Sequence, residues 1–240
     1  MSLTAQTVTN ELRKLGTREK AKAKAVTRFF KTGEGEYGHG DIFFGVIVSE
    51  QRKLAKQYNA LPFAEISLLL KSPVHECRLT ALLILTLQFE KANSAERARI
   101  AKFYCAHGTR VNNWDLVDAS APYILGQHLL TQDRSILYRF ARSKNLWERR
   151  IAIVATHAFI RVNQFDDTCA IAEILLTDRH DLIHKAVGWM LREVGKRSLS
   201  TEEKFLDQYA HIMPRTMLRY AIEKFPEQKR KTYMGRRALR

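Results

Sequence analysis

The sequence predicts an all-α protein on three observations. Apolar residues recur at helical spacing along most of the chain, an alternating strand pattern is missing, and an alanine returns at a matching place in successive apolar segments. Its 240 residues are 45% hydrophobic and 27% charged, as in globular proteins, and no stretch holds the roughly 20 apolar residues of a membrane span. A disordered chain and a membrane-spanning protein are therefore disfavoured.

The basic segment 1–31 is predicted to form two helices. Apolar residues share one face in each of them. They are Val8, Leu12 and Leu15 in the first helix, and Ala25, Phe29 and Phe30 in the second.

Segment 32–41, TGEGEYGHGD, interrupts the helical pattern with four glycines. So much glycine disfavours a helix, and the GK[ST] ending of a phosphate-binding loop is missing. The segment is therefore expected to be a loop, followed by an extended or irregular run over 41–48. Ser49 is expected to cap the next helix. Pro62, Pro73 and Pro214 mark helix starts, whereas Pro122 lies inside a helical pattern and predicts a kink.

An internal repeat predicts how the helices are arranged. A more polar helix separates successive apolar helices, as in helical hairpins that must stack to bury their apolar faces. We therefore expect one HEAT-like α-solenoid domain over 1–240, with a concave face for a long ligand and a basic C-terminal helix and tail over 214–240. The repeated alanines are Ala81, Ala119, Ala152, Ala186 and Ala221, at spacings of 38, 33, 34 and 35 residues.

The charge of the chain points to a polyanionic partner. Forty Lys and Arg against 25 Asp and Glu leave a net charge of +15, and 13 of these excess charges lie in 1–31 and 214–240. Basic ends that serve only solubility remain an alternative.

We expect a cytoplasmic protein, since the N-terminus does not have the pattern of a signal peptide. The unpaired Cys77, Cys105 and Cys169 are expected to be reduced and buried.

Three segments place unusual side chains on the repeat helices. In WDLVD, Trp114 and Asp118 are four residues apart and share a face, and in LWERR, Arg150 follows Trp147 by three. For WDLVD, the alternative is that Asn113 caps the helix, Trp114 packs in the core and Asp118 pairs with a neighbouring helix. For LWERR, the alternative is that Arg150 forms an ordinary surface salt bridge.

The third segment, 184–196, combines two stripes on one helix. Ile183, Val187, Met190, Leu191 and Val194 form an apolar stripe, whereas Lys185, Trp189, Arg192 and Lys196 form another. An aromatic ring among cations suits stacking on a sugar or base with phosphates on either side. The alternative is a Trp189 covered by the next repeat.

Other catalytic signatures are not present in the sequence. His180 and His184 have helical spacing but no third ligand nearby, so a metal site is disfavoured. An enzyme and a binding module both remain open at this point.

The motifs WDLVD, LWERR and KAVGWMLRE, in this order, resemble the AlkD-like DNA alkylation repair family. The likeness extends from RFFK at 28–31 through IFFGV and SEQRKLAK to the C-terminal helices. It implies a monofunctional DNA glycosylase without a cofactor, which releases cationic N3- and N7-alkylated purines from duplex DNA. A nucleoid-associated monomer is expected, and the alternative is a non-catalytic HEAT-like scaffold that binds DNA or an acidic protein.

The same resemblance implies roles for individual residues. By this resemblance, Asp118 is expected to be the catalytic carboxylate, and Trp114 and Trp189 are expected to flank the deoxyribose. Arg150 is expected to contact a phosphate. The expected DNA contacts beside Arg150 are Lys185, Arg192, Arg149 and Trp147.

Overall fold

A computed structural model of the chain describes residues 3–17 and 30–235, and these confirm the all-α class. Every regular element in these two ranges is a helix, and the β-type contact between Ile42 and Val74 is an isolated bridge. The chain forms two compact units, Met1–Leu125 and Gly126–Arg240. Most of the second predicted helix, with Ala25 and Phe29, falls outside the described residues.

The first unit is built around one long helix. This helix, α4 (His75–Lys91), contacts five others and is buried almost all round, which explains its continuous apolar sequence. The helices are α1 (Ala5–Thr17), α2 (Val48–Gln57), α3 (Phe63–Leu70), α4 (His75–Lys91), α5 (Ser94–Ala106) and α6 (Trp114–Asp118).

The second unit also has a central helix, α11 (Asp181–Gly195), which packs against α8 (Leu146–Ala155), α12 (Leu199–Tyr209) and α13 (Arg215–Ala221). Its Gly188 allows α13 to approach closely, because a Cβ there would lie 2.4 Å from the Met217 carbonyl oxygen. The helices are α7 (Ser135–Ala141), α8 (Leu146–Ala155), α9 (His157–Ile160), α10 (Asp166–Ile174), α11 (Asp181–Gly195), α12 (Leu199–Tyr209), α13 (Arg215–Ala221) and α14 (Glu227–Gly235).

The alanine repeat corresponds to core positions at four of its five places. Ala81, Ala152, Ala186 and Ala221 are fully buried inside α4, α8, α11 and α13. Ala119 is half-buried and follows α6 instead of lying within it.

The start of α8 repeats a hydrogen-bonding arrangement seen at the start of α4. Ser72 Oγ accepts the Val74 N–H, and Arg78 donates to the Ser72 carbonyl at 2.9 Å. Ser143 has the same two bonds, from the Asn145 N–H and from Arg149. Before α11, Asp178 takes the place of serine: its carboxylate accepts the His180 N–H, and its carbonyl lies 2.5 Å from His184 Nε2. We name these three arrangements the corner motifs.

Two local predictions need correction. Helix α2 begins at Val48 after Ile47, so Ser49 lies in its first turn and is not the N-cap. The predicted kink at Pro122 is a complete break, because α6 ends at Asp118 and Pro122 begins a π-helical turn that runs to Gly126. A missing N–H at Pro122 explains why the α-helical pattern does not continue through it.

Candidate active site

Helix α6, which carries Trp114 and Asp118, is only five residues long. Its N-terminal end is capped by the buried Asn113, whose side-chain oxygen accepts the Trp114 N–H at 2.8 Å. A helix of this length is not stable by itself, so its place must be fixed by contacts with other elements.

The C-terminal end of α6 is fixed by two hydroxyl groups. Ser120 Oγ donates to the Leu116 carbonyl at 2.6 Å, and Tyr104 in turn lies 3.0 Å from Ser120 Oγ. Burial raises the pKa of Tyr104, and the negative charge of Asp118 raises it further. Tyr104 is therefore a neutral donor at physiological pH.

Aromatic rings support the indole of Trp114. Phe30 stacks on Trp114 with ring centroids 5.5 Å apart and on Phe43 at 5.1 Å. The His75 ring packs against both phenylalanines, at 4.7 Å from Phe30 and 4.9 Å from Phe43. Trp114 itself is half-buried, so part of its surface stays open to solvent.

A buried cluster of charges lies beside these rings. His75 Nε2 is 2.7 Å from Asp115 Oδ2, and Nδ1 is 3.6 Å from Asp41 Oδ2, too far for a hydrogen bond. Arg78 is bound to Asp41 at 2.7 Å. Burial disfavours the charged imidazole and Arg78 opposes it, but the contacts with Asp115 and Asp41 outweigh both and raise the pKa of His75 to about 9. His75 is thus cationic at neutral pH.

The loop IFFGV is held by a neighbour of His75 on α4. The buried Glu76 carboxylate accepts three backbone N–H groups, from Phe44, Gly45 and Val46, at 2.7–3.2 Å. Gly45 has φ +84°, a conformation that glycine adopts without strain. This clamp keeps Phe43 in contact with the His75 ring.

In the second unit, α8 carries Trp147, Arg149 and Arg150. Trp147 is buried with 8% of its surface exposed, and Arg150 is 5% exposed and donates to the Leu182 carbonyl at 2.6 Å. Arg149 is bound to Asp178 at 2.6 Å in addition to its corner motif. All three side chains are therefore engaged within the protein.

Helix α11 has the predicted apolar stripe: Ile183, Val187, Met190, Leu191 and Val194 are all buried. On its other stripe each cation has an acidic partner. Lys185 contacts Asp181 at 2.6 Å, Lys196 contacts Glu193 at 2.6 Å, and Arg192 pairs with Glu223. The charge of this surface is thus compensated locally.

Trp189 is half-buried among these ion pairs. Its Nε1 donates to Glu193 Oε1 at 3.2 Å, and its ring lies 6.0 Å from that of His157. Burial lowers the pKa of His157, and Arg161, Lys196 and Arg197 act in the same direction against the opposing charge of Glu193. Trp189 therefore faces a neutral imidazole and a carboxylate.

The histidine pair on α11 has a structural place. His180 Nδ1 accepts the Leu182 N–H as the N-cap, and His184 belongs to a corner motif. Within 3–17 and 30–235, no three His, Cys, Asp or Glu side chains are placed to hold a metal ion. Cys77 is buried, whereas Cys105 and Cys169 are half-buried, and none of the three forms a disulfide.

Of two open clefts in the described part of the chain, one is lined by a residue predicted to contact DNA. One of about 560 Å³ is lined by the turns around Leu61 and Ala92 and includes none of the residues predicted for the site. The other, of about 490 Å³, is lined by Arg149, Asp178 and neighbouring residues of two corner motifs.

Sequence reasoning missed the acidic partners and the charge cluster. The spacing of Asp181 to Lys185 and of Glu193 to Lys196 would have indicated the local pairs. Asp41, His75 and Asp115 come from distant parts of the sequence, and no local pattern joins them.

The described residues thus define an all-α protein of helical repeats, in which an indole and a carboxylate share one short, well-supported helix. The chain belongs to the DNA alkylation repair enzyme family, because the model of that family matches residues 8–225. The resemblance predicted from the three motifs is confirmed at this level.

A solved structure shows the same fold. The chain is similar to a predicted DNA alkylation repair enzyme from Enterococcus faecalis, with a TM-score of 0.69 and 19% sequence identity over 86% of this chain and 96% of that one. No curated protein matches the sequence. In the described part of the chain, no helix is both long and apolar enough to cross a membrane.

Proposed function

We propose that the protein is a monofunctional DNA glycosylase that hydrolyses the N-glycosidic bond of cationic N3- or N7-alkylated purines in duplex DNA. The observation that carries the proposal is the pairing of Trp114 with Asp118 on α6, where both side chains are half-buried and therefore reachable. Membership of a DNA alkylation repair enzyme family supports alkylated DNA as the substrate.

The proposed chemistry needs one well-placed carboxylate. An alkylated purine already carries a positive charge, so it leaves with the electron pair of the glycosidic bond and needs little acid assistance. The sugar left behind has oxocarbenium character, which Asp118 stabilises electrostatically while it orients the water that attacks C1′. Water adds to the sugar, a proton is released, and a free base and an abasic site remain.

The two half-buried indoles are proposed to assist at the sugar. A cationic sugar attracts the face of an aromatic ring. Phe30 packs against Trp114, so the sugar would meet the remaining exposed part of that indole. The contacts of Trp189 with Glu193 and His157 help to hold its ring in one orientation.

Binding is proposed to rest on the cations of α8 and α11. Arg150 contacts one phosphate, and Lys185, Arg192 and Arg149 contact others. Trp147, which the sequence predicts to contact DNA as well, has only 8% of its surface exposed and is proposed to pack behind these cations. Because these cations already have protein partners, a phosphate must compete with Asp181, Glu223 and Asp178 for them. The net charge of +15 favours duplex DNA over a neutral partner.

The decisive experiment is base release from duplex DNA that contains 7-methylguanine or 3-methyladenine. The wild-type protein should release the free base and leave the strand intact until alkali is added. Asp118→Asn should keep the fold and lose about a hundredfold or more of the rate, because a neutral amide cannot offset the developing charge. Asp166→Asn, an exposed aspartate in the second unit, is the control and should retain full activity.

The same experiment tests the other function class. Equal, slow release by the wild type and Asp118→Asn would contradict the glycosylase proposal. The scaffold that binds DNA or an acidic protein would then be the better description.

A further inference from the structure

The five-residue helix α6 depends on side chains from elsewhere for its position. One residue contacts it in two ways. His75 binds Asp115 of α6 directly at 2.7 Å, and it packs on Phe30, which stacks on Trp114 of the same helix. Asp115 also accepts the Leu116 N–H through its other oxygen, so the His75 contact reaches the α6 backbone.

We propose that His75 is a positioning residue that holds α6, and with it the Trp114 indole and the Asp118 carboxylate, in the orientation that base release requires. This inference rests on the proposed function. His75 itself touches no substrate in the proposed mechanism, since only 2% of its surface is exposed.

The surroundings of His75 explain why this position suits an imidazole. A ring is needed to fill the space against Phe30 and Phe43, and a donor on its edge is needed to satisfy Asp115. Phenylalanine supplies only the ring, and glutamine supplies only the donor. Since His75 is cationic at neutral pH, the bond to the largely buried Asp115 is a charge-assisted one.

A small displacement of α6 should be costly for the reaction. Electrostatic stabilisation depends on the distance between the carboxylate and the sugar, and a shift of about 1 Å reduces rates by up to about a hundredfold. Binding, in contrast, depends on phosphate contacts that α6 is not proposed to make. Loss of His75 should therefore affect the rate at saturation more than the affinity.

The test compares His75→Phe with His107→Phe in single-turnover base release over a range of enzyme concentrations. His107 is a matched control in the same unit: it stacks on Phe103 at 4.1 Å and lies 2.9 Å from Ser67 Oγ, and both of these partners lie outside α6. His75→Phe should lower the saturated rate by about tenfold to a hundredfold and change the half-saturating concentration by less than about threefold. His107→Phe should retain the wild-type rate.

A fluorescence measurement gives a second readout that does not need activity. The emission of Trp114 is obtained as the difference between each protein and its Trp114→Phe counterpart. His75→Phe should shift or broaden this emission, and His107→Phe should leave it unchanged. His75→Gln, which restores a donor to Asp115, should recover part of both the rate and the emission.

The outcomes separate this inference from the proposed function. If the wild type and Asp118→Asn are equally inactive, the glycosylase proposal fails, and the emission of Trp114 still decides whether His75 positions α6. If His75→Phe does not fold, Asp115→Asn takes its place with the same expected loss of rate. A folded variant of either kind with the wild-type saturated rate and Trp114 emission would overturn the role of His75.

Discussion

Helices α6 and α11 carry the two proposed sugar-facing indoles, yet the protein holds them in opposite ways. Trp114 lies on a five-residue helix fixed by buried contacts from Phe30, His75 and Tyr104, which lie far apart in the sequence. Trp189 lies on a 15-residue helix, and its hydrogen-bonding partner Glu193 is one turn away on the same helix.

The comparison shows that α6 holds its side chains in a fixed position, whereas the charged surface of α11 can adapt. The buried charges around α6 are shielded from solvent and have few alternative partners, so they define one geometry. The ion pairs of α11 are partly exposed, and such pairs exchange partners and weaken with salt. A precise carboxylate and an adaptable binding surface are what base release from a long polyanion requires.

The largest expected difference is in the free energy of unfolding of two variants, each of which lacks one glutamate. Glu76→Ala leaves three N–H groups of the IFFGV loop without their partner and should lower the free energy of unfolding by about 3–5 kcal/mol. Glu193→Ala removes only partly exposed contacts and should cost no more than about 1 kcal/mol. Urea unfolding of both variants measures the difference, and equal costs would break the comparison.

The pH dependence of stability tests whether His75 is cationic in the charge cluster. The folded pKa of His75, about 9, is above its ordinary value of 6.5, so its contribution to stability is complete below pH 6.5 and is lost as the pH rises through 9. The free energy of unfolding of the wild type relative to His75→Gln should therefore fall by up to about 3 kcal/mol between pH 6 and 10. Urea unfolding at several pH values checks this, and parallel curves for the two proteins would rule out the ion pair.

A third prediction separates catalysis from binding within the second unit. Trp189→Ala should lower the saturated single-turnover rate by about tenfold, because the cationic sugar loses an aromatic contact that extra protein cannot replace. Arg150→Ala should chiefly raise the half-saturating concentration, and saturating enzyme should recover part of the activity. An unchanged saturated rate for folded Trp189→Ala would return that residue to a purely structural role.

The smallest expected effect belongs to Lys185. Its charge is already paired with Asp181, so Lys185→Ala should weaken duplex binding only a few-fold and change the slope of log affinity against log salt by less than about one. Asp181→Asn, which frees the cation, should strengthen binding at low salt. Fluorescence anisotropy with a duplex at several salt concentrations checks both. A full unit of slope lost in Lys185→Ala would mean that the local pair does not compensate its charge.

Local patterns predicted the helices well. The apolar faces of α1 and α11 follow from periodicity, and Val8, Leu12 and Met190 are buried as that periodicity requires. The ends of helices were less predictable. Ile47 precedes α2 without a capping side chain, and residue type alone therefore predicts the wrong N-cap, Ser49.

The site could be predicted in part, because its residues fall into two kinds. Trp114 and Asp118 share a face by spacing, which sequence displays directly. The residues that hold α6 in place cannot be predicted from spacing, since Asp41, His75 and Asp115 are brought together only by folding. Their meeting depends on long-range packing, and single-sequence patterns carry no signal for it.

The corner motifs have a consequence for how the chain acquires its fold during synthesis. Each closes over only seven residues, from Ser72 to Arg78, from Ser143 to Arg149 and from Asp178 to His184, so ring closure costs little entropy. Each can form as soon as its short segment leaves the ribosome, whereas the Arg149 side chain can meet Asp178 only after 29 further residues have been made. The register of successive helices is then set vectorially, one corner at a time.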